Sequence, residues 1–186
     1  YHIYTAANGE WFVSSIDAGD TVDELDFAQA QSNPDGIVRG LVRGRDLLIA
    51  GPRSIEVYQN TGATDFPFER VTSITIGVAY APTMVNLAAV IEGGLRDVVI
   101  FAANNADGSY AGVVVMDGYE ARKISLPWID RAIRDETDKT SLRAFTYARN
   151  GHVFYTLTGS TFTAEYNATT GLWHTRKSSG LARWRP

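Results

Sequence analysis

Arg45-Asp46-Leu47-Leu48-Ile49-Ala50-Gly51-Pro52-Arg53-Ser54-Ile55-Glu56-Val57-Tyr58 spells a strand, a turn and a second strand. Leu47 to Ala50 is a continuous apolar run, Gly51-Pro52-Arg53-Ser54 holds residue types that reverse a chain, and Ile55 to Tyr58 is rich in β-formers. The stretch runs on through Gln59-Asn60-Thr61-Gly62-Ala63-Thr64 to Asp65-Phe66-Pro67-Phe68. Asn60-Thr61-Gly62 and Pro67 are expected to fix the exit turn, with Ile55, Val57, Phe66 and Phe68 burying apolar area.

The unit recurs. Fifty-one positions after Asp46, Arg96-Asp97 again precedes an apolar run, Val98-Val99-Ile100-Phe101, followed by a Gly-containing turn and Gly112-Val113-Val114-Val115-Met116. A third copy follows Asn150-Gly151-His152: Val153-Phe154-Tyr155-Thr156-Leu157, the turn Gly159-Ser160, then Phe162-Thr163-Ala164-Glu165-Tyr166. Asn8-Gly9-Glu10 before Trp11-Phe12-Val13 reads as an abbreviated fourth. A period of about 50 residues is that of propeller blades, antiparallel sheets that bury their faces against neighbouring blades. The expected fold is therefore all-β: one β-propeller-type region over 1–186, with blades near 1–35 (partial), 36–80, 81–125 and 142–180. The chain starts at Tyr1 inside a strand-like run, so it is read as a fragment or processed product carrying an incomplete propeller.

Two turns support this pattern. Tyr166-Asn167-Ala168-Thr169-Thr170-Gly171-Leu172-Trp173 offers a glycine for positive φ and a tryptophan for the gap between blades. Ser15-Ile16-Asp17-Ala18-Gly19-Asp20-Thr21 is similar to the Asp-box turn of propellers, with Val22 in place of the usual aromatic residue. One insertion, 126–141, breaks the strands. Pro127, with Trp128, Ile129, Ala132 and Ile133 opposed to Asp130, Arg131, Arg134 and Asp135, predicts a short amphipathic inter-blade helix near 127–137 that ends by Thr140, packed through Trp128, Ile129 and Ile133.

Composition narrows function. The 186 residues are 45% hydrophobic, enough for a sizeable core, and the formal net charge is −4, which argues against wholesale phosphate neutralisation and leaves only local DNA contact. Cysteine is absent, removing disulfides and thiolate metal sites. No apolar run is long enough to span a bilayer and no signal-peptide pattern opens the chain, so no membrane partner is expected.

Motifs for chemistry are missing: there is no P-loop, GxSxG elbow, HExxH or EF-hand loop, and His2, His152 and His174 stand singly. The acidic run Asp17, Asp20, Asp23, Glu24 and Asp26 lacks the spacing of a calcium loop and reads as a solvated turn. Glu56, Asp117 and Glu165 are the carboxylates a propeller hydrolase would need across its channel, and Tyr58, Tyr110, Tyr119 and Tyr155 the rings a glycan-binding propeller would offer. Arg39, Arg43, Arg45 and Arg53 are read as edge-strand charges. His174-Thr175-Arg176-Lys177 through Arg183-Trp184-Arg185 is the one basic, aromatic-interleaved patch, read as a surface strand. Asn167-Ala168-Thr169 matches a glycosylation acceptor but lacks a secretory context. No catalytic, cofactor or metal residue is assigned; a glycan-binding or glycan-hydrolysing propeller is the alternative reading.

Several segments together resemble one family. Leu25-Asp26-Phe27-Ala28-Gln29-Ala30-Gln31-Ser32-Asn33-Pro34-Asp35-Gly36-Ile37-Val38, then Gly51 to Gly62, then Asp65-Phe66-Pro67-Phe68-Glu69-Arg70 lie in order. The inter-blade helix, Gly171-Leu172-Trp173-His174 and Arg183-Trp184-Arg185 extend the match over most of the chain. The chain resembles the packaged-DNA stabilisation proteins, or tail accessory factors, of short-tailed phages. That resemblance implies a non-enzymatic virion structural protein in the tail below the portal, present in the host cytoplasm during assembly. It also implies a hexameric ring in contact with the portal, adaptor, tail hub or needle, retaining packaged DNA and joining the portal to later tail parts. Family members are longer than this chain, and they supply no catalytic residues to carry over.

Overall fold

The computed structural model describes residues 1–6, 8–30, 36–64, 66–91 and 93–185, with the backbone alone at 23–26. Within the family-like segments, residues 31–35 and Asp65 lie outside the described residues, as do the side chains of Asp23, Glu24 and Asp26. The chain divides into two compact units, Tyr1–Ala79 with Asn104–Tyr110, and Tyr80–Ala103 with Ala111–Pro186.

In the first unit β1 (Ile3–Thr5), β2 (Glu10–Ser15) and β3 (Ala18–Gln29) form an antiparallel sheet in chain order, and β4 (Arg39–Arg43), β5 (Asp46–Ala50), β6 (Ile55–Asn60) and β7 (Phe68–Ile74) form a second. Asp46 to Tyr58 form β5, its turn and most of β6, with Leu48 opposite Val57 and Ala50 opposite Ile55. All of β5 is buried, because a strand covered on both faces needs a continuous apolar run and not an alternating one. The exit turn forms as read: Gly62 has φ +72 and its N–H meets Asn60 Oδ1 at 2.8 Å, while Thr61 N–H meets the Pro67 carbonyl at 2.7 Å.

Trp11, Val13, Leu47, Ile49 and Tyr58 make the core of this unit, with Phe66 and Phe68 packed against it. Trp11 meets Tyr58, Phe66 and Phe68 edge-on at centroid distances of 4.8, 5.2 and 5.7 Å, the geometry that ring quadrupoles favour. A short strand, β8 (Ile76–Val78), then runs against the β5–β6 turn, its Val78 N–H bonded to the Gly51 carbonyl at 2.9 Å. A Cβ at Gly77 would sit 2.0 Å from the Pro52 carbonyl oxygen, so only glycine permits this approach.

In the second unit β9 (Val85–Ile91), β10 (Gly94–Asn105), β11 (Tyr110–Asp117) and β12 (Glu120–Lys123) lie side by side, and β13 (Arg143–Arg149), β14 (His152–Thr158), β15 (Thr163–Asn167) and β16 (Leu172–Thr175) form another sheet in chain order. The apolar runs read as a repeat fall on β5, β10 and β14, and the abbreviated copy on β2. Arg96-Asp97 lies inside β10, not ahead of it, because pairing with β9 carries the strand back to Gly94.

The helix α1 (Pro127–Asp135) starts at its proline, and Ile129 and Ile133 are buried. It stops short of Thr140. Glu136 is extended, Lys139 Nζ donates to the carbonyls of Ile133 and Arg134, and Asp138 caps a separate 3₁₀ turn, Lys139–Ser141. Those contacts satisfy the carbonyls that a helix end leaves open. Two expected faces change. Trp128 is exposed instead of packed, and Asp130 is buried, accepting from Ser125 Oγ at 2.6 Å and pairing with Lys123 Nζ at 2.7 Å. An acid on the buried side is tolerated because both of its oxygens are bonded.

Candidate functional site

A hydrolase needs carboxylates free to exchange protons, and Glu56, Asp117 and Glu165 are each tied to other side chains. Glu56 lies on β6 and Glu165 on β15, the third strand of each four-stranded sheet, and both are buried. Glu56 accepts from the Tyr58 phenol at 2.5 Å and faces Arg70 Nη1 at 3.6 Å. Glu165 accepts from Arg176 Nε at 2.9 and 3.0 Å and from the Tyr147 phenol at 2.6 Å. Asp117 is exposed and paired with Arg96 at 3.0 Å. Each carboxylate thus has its own cation partner, and no two of the three are shown paired with each other.

Two of the four candidate tyrosines are committed to the core as well. Tyr58 and Tyr155 are buried, which withdraws both from any role in stacking on a sugar. The Tyr155 phenol donates to the Thr83 carbonyl at 3.1 Å, and burial raises its pKa. Burial, followed by the Glu56 carboxylate, raises that of Tyr58. Tyr147 is raised by burial and then by Glu165, while the bond to Glu165 raises Arg176 and keeps its charge fixed. Tyr110 is half-buried and Tyr119 exposed.

The basic and aromatic patch at the C-terminal end is a built structure, not a plain surface strand. After β16 the chain folds back so that Trp184 N–H meets Thr163 Oγ1 at 3.0 Å, and the Trp184 ring lies 6.1 Å from Phe145 and 6.3 Å from Tyr147. Arg176 stacks over that ring at 4.8 Å, and Tyr147 stacks on Phe154 at 5.0 Å. Trp173 supplies the inward contact, its indole N–H bonded to the Ile124 carbonyl at 2.7 Å and its ring edge-on to Tyr155. The sequence offered one signal for this network, a lone acid inside an otherwise uncharged strand, Thr163-Ala164-Glu165-Tyr166-Asn167.

Other candidates also find structural uses. Arg43 does lie on an edge strand, β4, but it is buried and paired with Asp46 at 2.8 Å, while Gln59 Nε2 reaches the other Asp46 oxygen at 2.7 Å, so one carboxylate ties β4, β5 and β6 together. Asp46 also lines a cleft of about 460 Å³ with Tyr1, Val42, Leu47 and Phe68. Arg53 is exposed in the β5–β6 turn. The acidic run is mostly strand, not turn, because β3 begins at Ala18; only Asp17, with φ +58, lies in the hairpin turn. Asn167 is buried, its Oδ1 accepting from the N–H groups of Thr169 and Thr170 and its Nδ2 lying 3.2 Å from His152 Nδ1. The amide of the formal glycosylation acceptor therefore shapes the turn before Gly171. Among the described residues no group of three or more His, Cys, Asp or Glu side chains is placed to hold a metal ion. Among the same residues no helix is long and apolar enough to cross a membrane.

Comparison with known families gives one result of full length. A family model described as Bacteriophage P22 Gp10, beta-propeller, matches residues 1–186. No curated protein gives a match. Because the family match runs through every strand repeat and does not hang on one motif, the chain belongs to the phage-stabilisation β-propeller family.

Proposed function

We propose that this chain is a non-enzymatic wall element of a phage tail, seated next to the portal, where it helps to retain packaged DNA and joins the portal to later tail parts. Its family carries the broader role, that of a phage structural protein in DNA stabilisation. The sheets at 3–29, 39–74, 85–123 and 143–175 act as blades of one propeller-type region spanning 1–186. The protein works through contacts with other virion proteins (portal, adaptor, tail hub or needle) and through self-assembly into a ring, with six copies by resemblance to the family. It passes through the host cytoplasm before it enters the virion.

The observation that carries the non-enzymatic part is the pairing of Glu56 with Tyr58 and Arg70, and of Glu165 with Tyr147 and Arg176. Both carboxylates are spent on holding strands in register, which suits a part that must bear load without rearranging. Electron microscopy of the full-length protein mixed with its portal ring tests the placement. Extra ring density beneath the portal is expected; protein that stays unbound contradicts it.

A further inference from the structure

In the second unit a cleft of about 460 Å³ lies between β12 and the turn from β15 to β16. Its polar lining is Arg122, Lys123, Tyr166, Thr169 and Thr170, all of them hydrogen-bond donors. Ile91, Ile124 and Ala168 give it an apolar side, and among the described residues no carboxylate lines it.

Several of these donors have protons to give. Tyr166 is only 7% exposed and its ring is held by Trp173 at 5.1 Å, yet its phenol has no hydrogen-bond partner among the described residues. Buried hydroxyls are normally satisfied, and the cleft that Tyr166 lines is where a partner can reach it. Burial raises the pKa of this phenol and the charge of Arg122 lowers it, so the guanidinium lies within electrostatic reach. Arg122 is exposed and, among the described residues, has neither an ion pair nor a hydrogen bond. Lys123 is paired with Asp130 at 2.7 Å but remains half exposed. Thr169 Oγ1 accepts from the Val153 N–H at 3.3 Å and keeps its own hydrogen, and Thr170 is exposed.

The wider charge agrees with this lining. The unit that holds the cleft carries twelve Lys and Arg against nine Asp and Glu, whereas the other carries five against twelve. An anion is therefore drawn to this unit although the whole chain is net negative. Asp117 and Glu120 line a neighbouring cleft that shares Arg122, and Asp117 is paired there with Arg96 at 3.0 Å.

We propose that the cleft beside Arg122 and Tyr166 binds a phosphate ester. Guanidinium, phenol and hydroxyl groups reach it from β12, β15 and the following turn, and a tetrahedral oxyanion offers acceptors towards all three, where a planar carboxylate serves one fork. The cleft is larger than the anion alone, and its apolar side leaves the remainder to an organic group. The site rests on the DNA-retention reading only for the source of the ester, a nucleic-acid strand or a free nucleotide. Binding by the isolated chain and protection of DNA in particles can fail independently.

Fluorescence anisotropy of a labelled deoxythymidine decamer titrated with the 186-residue chain is the measurement. The decamer should bind, with a log–log salt slope of about −1, the mark of one or two phosphates on a single strand. Arg122→Gln should weaken binding roughly tenfold and Tyr166→Phe about threefold, as loss of a charged and a neutral hydrogen bond does. Tyr166→Phe removes an oxygen without a bond to the described protein groups, so its thermal melt should not fall. Arg149→Gln, the same charge change on β13, should leave binding unchanged. Thymidine monophosphate should displace the decamer at lower concentration than inorganic phosphate does. A decamer that binds more tightly than the monophosphate assigns the ester to a nucleic-acid strand, and equal affinities assign it to a nucleotide. A decamer that does not bind overturns the proposal. So does a loss at Arg149→Gln equal to that at Arg122→Gln, or displacement by hexaglutamate as effective as by the monophosphate.

Discussion

Arg176 Nε donates to both carboxylate oxygens of Glu165 while its Nη2 donates to the Tyr147 phenol at 2.7 Å, so one guanidinium joins the segment after β16 to β15 and β13. Glu165 is almost fully buried, and without its cation the charge would have no solvent to fall back on. Arg176→Ala should therefore cost about 2–4 kcal/mol, well above an exposed ion pair, and Arg176→Lys less, because an ammonium keeps the charge but loses the fork. Urea denaturation of the three proteins checks the order. Equal midpoints would show the pair to be ornamental.

Stability should hold through neutral pH and fall in alkali. Tyr155 and Tyr58 have pKa values raised above the ordinary phenol by burial. A raised folded-state pKa means that the stabilisation is complete below the unfolded value of about 10 and is lost as pH climbs from there towards the folded value. Phenolate absorbance followed against pH should show these two rings ionising only as the chain unfolds. Tyr155→Phe should give a shallower alkaline decline at a cost near 1 kcal/mol for the lost bond to Thr83. Ionisation of both rings near pH 10 in a folded chain would contradict the burial.

Gly77 should tolerate no side chain. A Cβ there meets Pro52 at its carbonyl oxygen and carbon, at 2.0 and 2.1 Å, and both are backbone atoms that cannot swing aside. Gly77→Ala should destabilise by about 3 kcal/mol or more. Gly62→Ala, where φ is positive but nothing crowds the site, should cost about 1 kcal/mol. Thermal melts of the two variants separate steric exclusion from conformational preference; a Gly77→Ala melt equal to wild type would mean that β8 can lift off the turn.

The strands were legible because their cues are local. Leu47 to Ala50 and Val98 to Phe101 announce themselves as buried runs, and Gly51-Pro52 as a turn, without knowledge of any partner. The start of α1 was legible for the same reason, since Pro127 fixes it alone. Its end depended on Lys139 reaching back to carbonyls five and six residues away, and the burial of Asp130 depended on Lys123 and Ser125 in the preceding segment. Register hid the rest. Arg43 looks like a solvated charge until pairing sets it beside Asp46, and Glu165 looks like a candidate acid until Tyr147, eighteen residues before it, is brought alongside. Exposure of Trp128 follows from α1 turning Ile129 and Ile133 inward, a choice that periodicity alone left open.

The central claim is that the protein retains DNA as a structural part and not by catalysis, and nuclease-protected DNA in assembled particles measures it most directly. Particles made without the protein should fill and then lose their DNA. Supplying the wild-type protein should restore protection, and so should Asp117→Asn, which removes the one exposed carboxylate among the three candidates while leaving the buried pairs intact. Full protection without the protein, or a folded Asp117→Asn protein that fails to restore it, would contradict the account.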